Sequence, residues 1–210
     1  MVADRPFART ALQVFGILAS LLITIAVIYS DVLVLGNAMG EGSLVEWCQA
    51  LLILGSAIFF GLGVRHHANL RGYLILVSAL FLCMFVREND GVLDGIVHGF
   101  WRVPVLIIAV VAGFLVFKNR KTIRPALIHH VQDSSFWILT VGFFQLIIFS
   151  RLFGSGKLWK NIPNQADLAV AKSIIQESTE LVSYSFIFLG AYLTHKYVFG
   201  KQQSLDAHGV

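Results

Sequence analysis

Apolar stretches long enough to cross a bilayer recur along the whole of this chain, and they leave it few folds to choose from. Six can be read: about Ala11 to Ser30, Leu44 to Val64, Tyr73 to about Asn89, about Phe100 to Phe117, Phe136 to Phe153, and about Leu168 to Tyr197. A helix needs about 20 apolar residues to traverse a hydrocarbon core of about 30 Å. These runs are continuously apolar and do not alternate, which argues against lipid-facing strands. Within lipid the backbone must satisfy its own N–H and C=O groups. The fold class expected is therefore all-α: a polytopic membrane bundle of six transmembrane helices, forming one integral membrane domain over residues 1–210. Charge supply agrees, since 13% of residues are charged and 57% are hydrophobic. Soluble domains carry about 25% charged residues.

Loop charges orient the bundle. Six spans put both termini on one side. With that side inside, the inner segments hold Arg5, Arg9, Arg65, Arg71, Lys118, Arg120, Lys121, Arg124, Lys196 and Lys201. The outer segments hold only Arg87, Arg102, Arg151, Lys157, Lys160 and Lys172. Cytoplasmic loops are the ones enriched in Lys and Arg, so both termini are expected to be cytoplasmic. Small size and short loops suit a bacterial cytoplasmic (inner) membrane. The net charge of +4 then serves orientation, and no nucleic-acid partner is expected. Membrane lipid is the expected surrounding partner, with a second membrane protein or another copy of the chain left open. The first run reads as a retained span, because Ser30-Asp31-Val32 makes a poor signal cleavage site. The connector from Lys118 to Ser135 suits a short amphipathic helix lying on the membrane, its basic start facing anionic headgroups.

Acidic residues fall mainly on the outer side: Asp31, Glu41, Glu46, Glu88, Asp90, Asp94, Asp167, Glu177 and Glu180. Several lie in or beside apolar spans, where charge is costly and calls for a partner or a function. Glu46 and Gln49 sit one or two turns into the second span. Glu177 and Glu180 lie about ten residues along the sixth, roughly 15 Å at helical rise. Gln145 and Arg151 on the fifth approach the same level.

Between spans three and four, Arg87-Glu88-Asn89-Asp90 leads into Asp90, Asp94 and His98 at every fourth residue, with Arg102 one turn on. On a helix these share one face. Gly91, Gly95 and Gly99 follow the same period, and small residues at that spacing let helices approach closely. The expectation is a short extracytoplasmic polar helix between helices 3 and 4, aimed at Glu46, Glu177 and Glu180.

Carboxylates with one imidazole suit a divalent metal, and Asp90, Asp94 and His98 are the candidate ligands. A metal there would activate water against a lipid or lipid-linked ester or phosphoester, making the chain a metal-assisted hydrolase or transferase. Glu46, Glu88, Asp94, His98, Glu177 and Glu180 are the candidate catalytic residues. Arg87, Arg102, Arg151, Gln49 and Gln145 are the candidates for substrate binding, the arginines toward an anionic headgroup. The alternative is a non-enzymatic membrane subunit or envelope-assembly factor, whose charges are structural ion pairs such as Arg87, Arg102 and Arg151 with Glu88, Asp94 and Glu177. Ion or proton transport is a third reading, disfavoured because spans one and four carry almost no polar residues.

Other features read as structural. His66-His67 and His129-His130 are sequence neighbours that point to different faces of a helix, and interfacial solvation explains them. Gly154-Ser155-Gly156-Lys157 lacks the rest of a phosphate loop. Ser183 and Ser185 lie in no nucleophile elbow and are expected to bond to carbonyls one turn back. Cys48 and Cys83 read as buried thiols, although a disulfide between them stays open. Trp47, Trp101, Trp137 and Trp159 mark span ends, as interfacial indoles do.

Overall fold

The computed structural model describes residues 4–36, 42–160 and 168–199, and its described elements are all helical. Glu41, Asp167 and Lys201, counted in the charge balance, lie outside the described residues. Ten α-helices follow in order: α1 (Asp4–Tyr29), α2 (Leu44–His66), α3 (Arg71–Glu88), α4 (Asp90–Asp94), α5 (Arg102–Lys118), α6 (Ile123–Val131), α7 (Ser134–Gln145), α8 (Arg151–Gly154), α9 (Gly156–Trp159) and α10 (Leu168–Leu193). Three π-helical turns extend α1, α7 and α10, at Ser30–Val34, Leu146–Ser150 and Thr194–Phe199.

Among the described residues, four helices are long and apolar enough to cross a membrane: Phe7–Val34, Leu44–His66, Ala68–Glu88 and Ser134–Gly154. Arg102–Lys118 and Arg120–Val131 make a fifth if taken together, but they meet at 78°. The sequence expectation of six spans is thus supported for four, or five with the bent pair. What falls short is α10. Its 26 residues are long enough, but Lys172, Gln176, Glu177 and Glu180 hold its hydropathy down. Leu181, Ser183, Tyr184, Ile187, Ala191 and Leu193 on it are buried instead. A helix covered by protein can carry polar groups that lipid would reject. The opposite case is α1: only 6% of the most apolar window of its span is buried, against 39% for α2. Phe7, Val14, Phe15, Leu22 and Ile23 all stand exposed on it, the surface that lipid tails would cover.

The chain divides into two compact units, one of Met1–Gln49 with Thr140–Leu189, the other of Ala50–Leu139 with Gly190–Val210. In the first, Thr24 and Ser185 share a buried hydroxyl hydrogen bond of 3.1 Å between α1 and α10. Gly142 on α7 lets α10 approach; a Cβ there would sit 2.7 Å from the Ser183 carbonyl oxygen and 2.9 Å from the Ile187 nitrogen. In the second unit Gly190 repeats the device, with a Cβ falling 2.7 Å from the Leu139 nitrogen. Small residues are what bring membrane helices to backbone contact. The core of that unit is built on Ile53, Ala57, Phe60, Leu74 and Phe81, with Phe60 and Phe81 edge-on at 5.8 Å.

The polar helix expected between the third and fourth spans is one turn long. It stops at Asp94, and Gly99 takes φ +81° before α5 begins. Three glycines in nine residues supply too little helix propensity to continue. Asp94 instead accepts the Gly99 N–H at 2.9 Å, closing the turn.

Candidate functional site

The first unit gathers polar side chains from α1, α2, α7 and α10. Asp31 lies in the π-helical turn that ends the first span and is completely buried. Its Oδ1 accepts the N–H of Leu44, the first residue of α2, at 3.2 Å. Such an N–H has no partner within its own helix, so a carboxylate is a natural cap for it. Asp31 Oδ2 is buried and has no hydrogen-bond partner among the described residues. Gln49, on α2, is also completely buried. Its amide donates to the Glu177 backbone carbonyl at 3.0 Å and to Glu177 Oε2 at 3.2 Å. The backbone carbonyl can only accept, which sets the amide orientation and leaves Gln49 Oε1 buried without a partner among the described residues. Glu46 and Glu180 lie within electrostatic range of the Glu177 carboxylate, as Asp31 does of Cys48.

Glu180 is held differently. Its Oε1 accepts the hydroxyl of buried Ser150, from the π-helical turn after α7, and the Gln176 amide at 3.1 Å. Gln176 in turn sits over Gly154, where a Cβ would meet its Oε1 at 2.8 Å. Glu46 has a local task as well. Ser43 Oγ accepts the Glu46 N–H at 3.1 Å, and Glu46 Oε2 accepts the Gly42 N–H at 2.5 Å. Ser-x-x-Glu at the start of α2 thus forms a variant of the capping box, with the Glu46 carboxylate reaching the N–H of Gly42, one residue before the capping Ser43. Among the described residues, Asp31, Glu46, Glu177 and Glu180 form no ion pair with a Lys, Arg or His. Gln145 is half-buried at the end of α7, and Arg151 is exposed.

The remaining expected site residues belong to the second unit. Arg87 forms an ion pair with Asp90, three residues on. His98 meets Asp94 at 3.3 Å, with the imidazole 96% exposed. The Arg87 and Arg102 guanidinium groups each lie 5.6 Å from the Trp101 ring centre. Glu88 is half-buried. Among the described residues, no group of three or more His, Cys, Asp or Glu side chains is arranged to hold a metal ion. The metal expectation for Asp90, Asp94 and His98 gains no geometric support: the helix that would align them ends at Asp94, and Asp90 is taken by Arg87. Cys48 and Cys83 are free thiols.

A second buried polar group went unread in the sequence. His130, set aside as an interfacial residue, is 2% exposed. Its Nδ1 lies 2.6 Å from the Tyr73 hydroxyl and its Nε2 lies 2.8 Å from Thr194 Oγ1. Thr194 spends its one proton on Gly190 O or Ser135 Oγ, and Ser135 donates to Asp133 at 2.6 Å. Thr194 must therefore accept from Nε2–H, and Tyr73 donates to Nδ1. Phe60, Tyr73 and Phe136 surround the imidazole, with ring centres at 6.2, 5.7 and 5.2 Å. Spacing gave no hint of this, because its members come from α3, α6, α7 and the turn after α10.

Comparison with known proteins yields no match: no family model, no curated protein and no solved structure is significantly similar to this chain.

Proposed function

We propose that this chain is a polytopic membrane protein that binds an ammonium-type cation in the acceptor-rich cluster of Asp31, Gln49, Glu177 and Glu180. One observation carries the reading: Asp31 and Gln49 are both completely buried, and among the described residues each keeps one oxygen without a partner. A carboxylate taken out of water without a counter-charge costs several kcal/mol, and an unpaired buried amide oxygen costs about 1–3 kcal/mol. A ligand bearing N–H donors and a positive charge supplies what each of these oxygens lacks. The loop-cation asymmetry supports an extracytoplasmic approach, where the amine of a lipid or lipid-linked substrate is the natural source of such a group.

The test uses the purified full chain in neutral detergent. Ethylammonium chloride should raise its unfolding temperature above that in sodium chloride of equal ionic strength. Asp31→Asn should abolish the difference. A wild-type chain that responds equally to both salts would overturn the reading.

The enzyme reading keeps one favouring observation, the hydrogen bond from Ser150 to Glu180 with Gln176 steadying the same carboxylate. A hydroxyl paired with an oriented base is the arrangement of an activated nucleophile. On that reading Glu180 takes the Ser150 proton as the oxygen attacks an acyl or phosphoryl centre, and returns it to the alcohol oxygen that departs as its bond to that centre breaks; water or an acceptor hydroxyl then displaces Ser150 from the resulting ester, giving a hydrolase or transferase. A fluorophosphonate probe should then label the wild type and leave Ser150→Ala unlabelled. Absence of labelling in the wild type would remove this second reading and leave the first intact.

A further inference from the structure

We propose that the cations at the turn from α5 into α6 form a docking surface for the anionic headgroups of the phospholipids around the chain. The surface lies in the second unit and is independent of the acidic cluster. Lys118, Arg120, Lys121 and Arg124 fall within seven consecutive residues. Among the described residues none of the four forms an ion pair, so no described carboxylate neutralises their charge. All but Arg120's neighbour Asn119 and Thr122 in this turn are cationic up to Ile123.

Geometry puts this charge where headgroups lie. The lipid-facing run of α5 ends on Phe114 and Phe117, both more than half exposed. Lys118 sits over the Phe114 ring at 4.5 Å and Arg120 over the Phe117 ring at 4.7 Å. Aromatic rings at a span end and cations resting on them mark the boundary between hydrocarbon and headgroup. The chain then turns through 78°. If α5 runs near the membrane normal, α6 lies close to the membrane plane. Its inner face is pinned by buried Ala126 and by the His130 hydrogen bonds to Tyr73 and Thr194. Its outer face exposes Arg124 beside Leu127 and Ile128. Cations and apolar side chains on one rigid in-plane helix match the layer where phosphate meets acyl chain. A polyanionic protein would use the charge and leave Leu127 and Ile128 in water; phospholipid uses both.

The test reconstitutes the full chain in nanodiscs of phosphatidylcholine mixed with phosphatidylglycerol and reads the retained lipids by native mass spectrometry. Wild type should retain phosphatidylglycerol in preference to phosphatidylcholine. The quadruple variant K118Q/R120Q/K121Q/R124Q should bring the preference to parity, at about fivefold per charge removed. The control R151Q/K157Q should keep the wild-type preference. Inorganic phosphate should not displace the lipid beyond what sodium chloride does at equal ionic strength. If the quadruple variant does not fold, K121Q/R124Q carries the test, with a partial loss expected. An unchanged preference in either variant, no preference in wild type, or displacement by inorganic phosphate would overturn the proposal.

Discussion

The two buried polar clusters are built to opposite rules. In the second unit, Tyr73 donates to His130, His130 to Thr194 and Ser135 to Asp133, and Thr194 has Gly190 O or Ser135 Oγ to donate to, so each proton has an acceptor and the imidazole has both nitrogens engaged. In the first unit, Asp31, Gln49, Glu177 and Glu180 supply acceptors in excess of donors, and Asp31 Oδ2 and Gln49 Oε1 are left over. Buried polar groups are nearly always paired, so a saturated network needs no explanation beyond stability. An unsaturated one does. The difference separates a group that ties helices together from one that has room for a ligand.

Substitutions can break or sharpen that contrast. The largest effect is expected at His130→Ala, which strands Tyr73 and Thr194 and opens a hole among Phe60, Tyr73 and Phe136. The loss should be about 3 kcal/mol or more, read by unfolding in detergent, with the ethylammonium response per folded molecule unchanged. Asp31→Asn should do the reverse: stability held or raised, because a buried charge is removed, and the cation response weakened at least about tenfold, or ~1.4 kcal/mol. A large destabilisation at Asp31→Asn with no loss of response would erase the distinction. Tyr73→Phe removes one donor and keeps the ring, so about 1 kcal/mol of stability should go. Glu46→Ala should be smallest, ~0.5–1 kcal/mol from the lost cap at the start of α2. Its cation response should stay within twofold of wild type, which separates capping from ligand binding.

Much of the architecture was legible in the residues. Each of the six expected runs falls on helical structure, and four of these segments, or five with the bent pair, are long and apolar enough to cross a membrane, because a helix that faces lipid must be apolar along its length and shows this in sequence. Gln49 was singled out as a polar residue in a span, and the structure does bring it to Glu177. Other elements were not legible. The periodic Asp90, Asp94 and His98 promised a helix that three glycines end after one turn. Asp31 was counted as a loop acid, because nothing in Ser30-Asp31-Val32 announces that α1 continues through a π-helical turn and draws it inward. Ser43-x-x-Glu46 carries a helix-start signal in the sequence, and capping rather than catalysis is the task in which the structure shows Glu46.

By itself the sequence determined that the chain is helical and apolar enough for a membrane, since backbone satisfaction and transfer energy act residue by residue along a span. Only the tertiary structure decided which polar residues meet. Hydrogen bonds such as Gln49 to Glu177 and His130 to Thr194 join positions 128 and 64 residues apart. No local pattern encodes such pairs; they arise when glycines let particular helix faces come into contact.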